Sequence, residues 1–274
     1  RSVAAALGAD GAEALAAAIP KVGGDNRVWL VNTLASQGRD ARPAILRLKA
    51  HLGDGEPRFR FAVARALWPL DDDRPALRRL ALDAVAGKET IARYEAIQFA
   101  LTIRPRPVEL TPIFEAALKE KTGRLRFQAV LALYDLDPAS LKQNLPILTE
   151  PFKQPQQYAE WMMAMNVIGA IGPAAKEALP AVLAFAETPN GQSYVHLIGP
   201  VVGRMGPDAI EPVLKLLARG GQTQQIGIAA LAQFGAEHLA KLAPALANEE
   251  ALVRRAVLDV FIRHAAECGP FVKE

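Results

Sequence analysis

The side chains with a capacity for chemistry are few and scattered along this chain of 274 residues. The four histidines, His51, His196, His238 and His264, stand far apart in sequence. None belongs to an HExxH or a Cys/His cluster, the spacings that bring two ligands to one zinc ion. Each is expected to be a surface or inter-helix residue. Cys268 is the single cysteine, so no internal disulfide can form. The densest acidic run, Asp71-Asp72-Asp73, has the oxygen ligands a hard cation takes. However, it closes one apolar segment and precedes Arg74-Pro75, which places Asp73 to cap the next helix. The GGDN segment at 23–26 lacks the Lys-Ser/Thr of a phosphate loop, and no Ser–His–acid set can be assembled. The expectation is a non-enzymatic chain with no metal and no cofactor.

Surface chemistry remains. Arg42 and Arg74 each precede a proline by one residue, and Arg47 and Arg79 follow the same prolines by four. Such a stripe suits carboxylates or phosphates, which guanidinium groups grip bidentately. Charge is uneven. Residues 1–150 hold 22 basic and 18 acidic side chains, residues 151–274 hold 10 and 11, and the excess sits mostly in 39–106. That bias fits an anionic partner, nucleic acid included, although a solvated helical face has the same composition. Trp29, Trp68 and Trp161 all fall in apolar helical segments, where packed core or groove edge is the expected setting.

These residues must be carried by elements, and the punctuation of the chain shows which. Pro20, Pro43, Pro75, Pro112, Pro146, Pro180, Pro212 and Pro244 recur at intervals of 23, 32, 37, 34, 34, 32 and 32 residues. Gly38, Gly172, Gly206 and Gly235 each close an apolar segment five to nine residues before one of them. Glycine suits a helix C-terminus and proline a first helical turn. The repeating unit is therefore a leading helix, a Gly turn, a return helix beginning around Pro, and a polar loop. The leading helices are expected at 26–38, 59–70, 93–103, 125–136, 160–172, 194–206, 223–235 and 253–265. Their apolar residues return at steps of three and four, as in Phe59, Val63, Ala66, Leu67 and Leu70. The Ala-rich composition, poor in Val, Ile and Thr, favours helix as well.

One polar position also repeats. Arg27, Arg60, Arg126 and Arg254 stand early in four leading helices, and Asp54, Glu120 and Asn248 lie six residues before three of them. With these residues and the recurring prolines, and best in DGEPRFR (54–60) and NEEALVR (248–254), the chain resembles the HEAT-repeat family in its shorter, HEAT-like form. The resemblance implies an all-α, right-handed α-solenoid of about eight helical hairpins, an armadillo-like superhelix with return helices on its concave binding face. It also implies a ladder of hydrogen bonds and ion pairs between neighbouring units. The Arg position holds Tyr94, Trp161, Val195 and Gln224 in the other units, which interrupts that ladder and singles out Trp161. The period near 32 is shorter than the roughly 40–47 of full HEAT units, and tetratricopeptide and ankyrin motifs are absent. Among HEAT-like enzymes, deoxyhypusine hydroxylase holds iron through His-Glu pairs, whereas this chain has only the reversed Glu237-His238. The alkylpurine DNA glycosylases of this fold are similar only in a basic bias and tryptophans, and phycobilin lyase subunits are similar in fold.

The expectation is a single continuous array over 1–274, its first unit (1–24) and last unit (266–274) incomplete and without polar caps, and thus part of a larger protein or longer array. Residues 154–157 and 187–192 are the most loop-like. No apolar run approaches the ~18 residues of a membrane span. With Arg1 in first place and no signal peptide in these residues, the default compartment is cytoplasmic and the native N-terminus is expected to lie outside them. The expected function is a protein–protein interaction scaffold whose concave face takes a protein or peptide, with Arg42, Arg47, Arg74, Arg79 and Trp161 as binding residues. Nucleic acid bound by the basic N-terminal half is the second expectation.

Overall fold

A computed structural model describes residues 8–120, 123–154 and 157–269. Every regular element among them is helical, as the Ala-rich, proline-punctuated sequence dictates. Two compact units divide the chain at Glu120–Lys121.

In the first unit α1 (Gly8–Ala18) is followed by α2 (Asp25–Ser36), α3 (Ile45–Lys49), α4 (Pro57–Leu67), α5 (Arg74–Ala86), α6 (Thr90–Thr102) and α7 (Thr111–Ala117). The leading helices α2, α4 and α6 stack in that order, while α1 packs on the 3-10 segment 38–44 and α5 on α7. Helix α4 touches α2, α3 and α6, so Phe59, Phe61, Ala62, Val63, Ala66 and Leu67 are all buried. Cover on three sides buries these residues while Arg58, on the remaining polar side, stays exposed.

The second unit contains α8 (Gly123–Leu136), α9 (Leu141–Thr149), α10 (Tyr158–Ile171), α11 (Leu179–Ala186), α12 (Pro189–Gln192), α13 (Val195–Arg204), α14 (Ile210–Arg219), α15 (Gly221–Leu231), α16 (Leu239–Leu242) and α17 (Ala251–Arg263). Here α8, α10, α13, α15 and α17 form the succession of leading helices, each packed on the next. The tightest pair is α13 on α15. A Cβ on Gly199 would lie 2.5 Å from the Ala229 Cβ, and one on Gly203 only 2.3 Å from the Ala230 carbonyl oxygen. Glycine is the residue that lets two helix backbones approach so closely.

The leading helices fall within four residues of their expected limits at either end. The return segments differ from expectation. Most open as 3-10 turns, at 38–44, 108–110, 138–140, 172–178, 207–209 and 236–238, before any α-helix starts. Pro112, Pro180 and Pro212 lie in the first three residues of the α-helix that follows, and Pro146 lies inside α9. Proline cannot donate to the carbonyl four residues back and its ring crowds that carbonyl. It therefore marks the change from 3-10 to α rather than the start of the segment. Gly172 and Gly206 have φ of +68° and +81°, as helix-closing glycines do, but Gly235 has φ −87° and is extended.

Two other expectations change. Residues 187–192 are not an open loop: Thr188 caps the short helix α12, its Oγ1 accepting from the Gly191 amide at 3.0 Å. Residues 155 and 156, in the other expected loop, lie outside the described residues, as do 1–7 and 270–274 at the incomplete units. The stretch Tyr158–Ala186 is, by length and composition alone, apolar enough to cross a membrane, contrary to the expectation that no run approaches that length. It escapes a count of unbroken apolar runs because polar residues are interspersed. Half of its most apolar window is buried inside the protein, and Gly172 divides it into α10, a 3-10 turn and α11.

Candidate functional site

Layer-to-layer polar contacts begin with Asp54. Its Oδ2 accepts from Arg27 Nη1 at 2.9 Å, its Oδ1 from the Glu56 amide at 2.9 Å, and its carbonyl from Arg60 Nη1 at 3.3 Å. Arg27 also donates to Glu56 Oε2 at 2.8 Å, with its guanidinium 4.1 Å from the centre of the buried Phe59 ring. One aspartate thus joins the arginine of its own layer to that of the preceding one. The Glu56 amide lowers the Asp54 carboxyl below its ordinary range, burial opposes this, and Arg27 adds to the lowering. In the last layer Asn248 Oδ1 accepts the Glu250 amide at 3.0 Å, and Arg254 Nη1 donates to the Asn248 carbonyl at 2.7 Å. The turn is built in the same way, with an amide in place of the carboxylate.

Further contacts cross from layer to layer. They include Arg65–Glu95 at 3.5 Å, Arg78–Glu109 at 3.3 Å, Lys176–Asp208 at 3.2 Å, Arg204–Gln233 at 3.5 Å and Arg219–Glu187. Arg263 donates to the Ala232 and Leu231 carbonyls at 3.1 Å each. These partners lie 29 to 32 residues apart, one sequence period.

The aspartate run is structural, though not as expected. Asp73 precedes α5 without a side-chain capping bond. Asp71 does the work, accepting the Asp73 amide at 3.2 Å and pairing with Lys49 Nζ at 2.9 Å. Burial raises the Asp71 carboxyl, but the Lys49 ammonium and the turn amides outweigh it and hold the group below its ordinary value. Among the described residues no three His, Cys, Asp or Glu side chains gather as a metal group. His51 lies edge-on to Phe59, and His238 lies beside Phe234 and Glu237. The Cys268 thiol is buried and donates to the Phe261 and His264 carbonyls at 3.2 Å.

All four expected binding arginines are exposed. Arg42 lies in the 3-10 segment 38–44 and Arg47 in α3, and neither has an acidic partner among the described residues. Arg74, at the start of α5, places its guanidinium 5.6 Å from the Trp68 ring centre, and Arg79 reaches Asp83 on its own helix at 3.9 Å. Trp161 is not at a surface. It is fully buried among Tyr158, Phe185 and Tyr194, with ring centres 4.9 to 5.0 Å away. It stands early in α10, where other layers carry arginine, but it fills the core and cannot meet a ligand.

Among the described residues, clefts open on the leading helices of both units. In the first unit, one of about 450 Å³ is lined by Asp25, Trp29, Asn32, Arg58, Arg65 and Glu95. In the second, one of about 480 Å³ lies between α15 and α17, and one of about 160 Å³ between α8 and α10. Trp29, Ile91, Tyr94, Tyr158, Ile228, Leu258 and Ile262, all on leading helices, are exposed large apolar residues. Sequence reasoning passed over this side of each unit. Asp25, one turn before Trp29, was the available sign of a polar cleft beside an aromatic. No family model matches the chain, and no curated protein matches it.

Proposed function

We propose that the chain is a HEAT-like array of helical hairpins, a right-handed α-solenoid of about eight units, that acts as a protein–protein interaction scaffold without catalytic activity. Its ligand is an acidic protein or peptide segment laid across the return segments of the first unit. The observation that carries the reading is the exposure of Arg42, Arg47, Arg74 and Arg79 on successive return elements, with Arg42 and Arg47 free of acidic partners among the described residues. Guanidinium groups on a prebuilt helical surface bind carboxylates without the cost of ordering a loop. Support for the array itself comes from the succession of leading helices in each unit and from polar contacts one period apart.

The same arginines, in the basic stretch 39–106, favour nucleic acid as a second reading. One titration separates the two. A labelled acidic peptide and a labelled single-stranded oligonucleotide are offered to the wild type and to the R42E/R47E/R74E/R79E variant. The expected result is peptide binding weakened about tenfold or more in the variant, since four exposed pairs contribute ~0.2–1 kcal/mol each. Preference for the oligonucleotide, with affinity falling steeply as salt rises, would establish the second reading. Equal binding of the peptide by both proteins would reject the arginine surface.

A further inference from the structure

The turns that lead into α4, α6 and α17 share one build, and one of them lacks a side chain that the others have. Each ends on a glutamate with extended backbone: Glu56 at φ −86° and ψ 110°, Glu89 at φ −78° and ψ 113°, Glu250 at φ −76° and ψ 116°. Four residues on, the amides of Arg60, Arg93 and Arg254 donate to the carbonyls of those glutamates at 3.0 to 3.2 Å. Arg93, not Tyr94, is therefore the counterpart of Arg60 in α6, and Tyr94 is exposed beside it. Arg27, Arg60 and Arg93 follow one another at intervals of 33 residues. The Nε atom of each is buried, so all three side chains leave their helices packed against protein.

Two residues before the glutamates stand Asp54, Gly87 and Asn248. Asp54 and Asn248 accept the glutamate amide through Oδ1 at 2.9 and 3.0 Å, and Asp54 also takes Arg27 of the preceding layer at 2.9 Å. Gly87 has no side chain for either task. Ala92 likewise replaces Phe59, the ring that lies against the Arg27 guanidinium. The layer after Arg60 thus offers it neither the carboxylate nor the ring that Arg27 receives. Arg60 donates to the Asp54 carbonyl at 3.3 Å, and among the described residues neither Arg60 nor Arg93 has an acidic partner. The backbone does not require glycine here. Gly87 has φ −73°, and a Cβ on it would meet the Asp83 and Ala84 carbonyl oxygens at 3.4 Å, an ordinary contact.

We propose that Arg60, Arg93 and the turn 87–89 form a binding site for a carboxylate from outside the chain, seated where the Asp54 carboxylate sits one layer earlier. The molecule carries the template for this ligand, because Asp54 joins Arg27 to the layer of Arg60 as the bound group would join Arg60 to the layer of Arg93. A guanidinium holds a carboxylate through two parallel hydrogen bonds. Charge agrees: the turn and its two arginines carry Arg60, Lys88 and Arg93 against Glu89, which forms no ion pair among the described residues. The ligand is the acidic side chain or chain terminus of a partner. The site draws on the build of the turns and not on the four arginines of the return segments.

The test is a formate titration of the full chain labelled with nitrogen-15, at ionic strength held constant with sodium chloride, because screening alone would otherwise change. The Glu89 amide resonance is read. In the wild type it is expected to shift with formate and to saturate. Arg60→Gln should weaken that response about tenfold or more with unchanged helical circular dichroism, since a charged hydrogen-bond partner is lost. Gly87→Asp supplies its own carboxylate at high effective concentration. It should abolish the response to formate and raise the urea midpoint. A Glu89 amide that does not respond in the wild type, an undiminished response in Arg60→Gln, or a response that survives in Gly87→Asp would overturn the proposal. Peptide binding at Arg42, Arg47, Arg74 and Arg79 is read separately, so failure of one site is distinguishable from failure of the other.

Discussion

Trp161 and Asp54 show two ways in which a single side chain holds these layers together. Trp161 acts by volume. It is enclosed by three aromatic rings, so Trp161→Ala leaves a large cavity and is expected to lower stability by ~3–5 kcal/mol in urea titrations. Trp161→Phe, which keeps an aromatic ring in the site, should cost less, and neither change should alter peptide affinity in the protein that remains folded. Asp54 acts by charge. A carboxylate whose pKa is lowered on folding contributes stability above its unfolded value of about 3.9 and loses it as pH falls through the folded value. The wild type should therefore lose stability below about pH 4 more steeply than Asp54→Asn, which keeps an acceptor for the Glu56 amide but no charge. Near neutral pH the same variant should be less stable by ~1–2 kcal/mol, since the Arg27 pair is partly exposed. Urea midpoints of the two proteins at both pH values check the sign.

At the scale of elements, the close approach of α13 and α15 depends on glycine. Gly203→Ala gains up to ~1 kcal/mol of helix propensity, but its methyl group would lie 2.3 Å from the Ala230 carbonyl oxygen. Overpacking costs ~1–3 kcal/mol, so a net loss of stability is expected, with the denaturant midpoint lowered and the slope unchanged. The leading helices were legible in the sequence because their apolar period runs through nearly every turn and their ends carry Gly or a polar turn. The 3-10 openings of the return segments were not, because proline is compatible both with a helix start and with a 3-10 to α junction. Gly235 was misread for a related reason: glycine permits positive φ without requiring it. The arginines on return segments were found as exposed residues. Trp161 was misplaced because equivalence of sequence position was taken as equivalence of role. In this layer the indole in the Arg position turns inward, where Phe185 and two tyrosines receive it, whereas Tyr94, expected at the same position of α6, stays exposed. The cleft beside Trp29 draws on three helices, and no local pattern brings Arg58 and Glu95 together.

At the scale of the whole molecule, the proposed account makes the chain a succession of interchangeable layers, each held by its neighbours. In such an array stability is close to a sum of layer and interface contributions. Contacts one period apart in both units are what that view requires. The measurement that bears most directly on the central claim is removal of one whole period. Deleting residues 207–235, which joins Gly206 to Ala236, takes out α14 and α15 and brings α17 into the register that α15 held against α13. The account predicts a soluble protein with cooperative urea unfolding and helical circular dichroism lowered in proportion to the 29 residues removed. An aggregated chain, or one that unfolds without cooperativity while the full-length protein unfolds cooperatively, would contradict it.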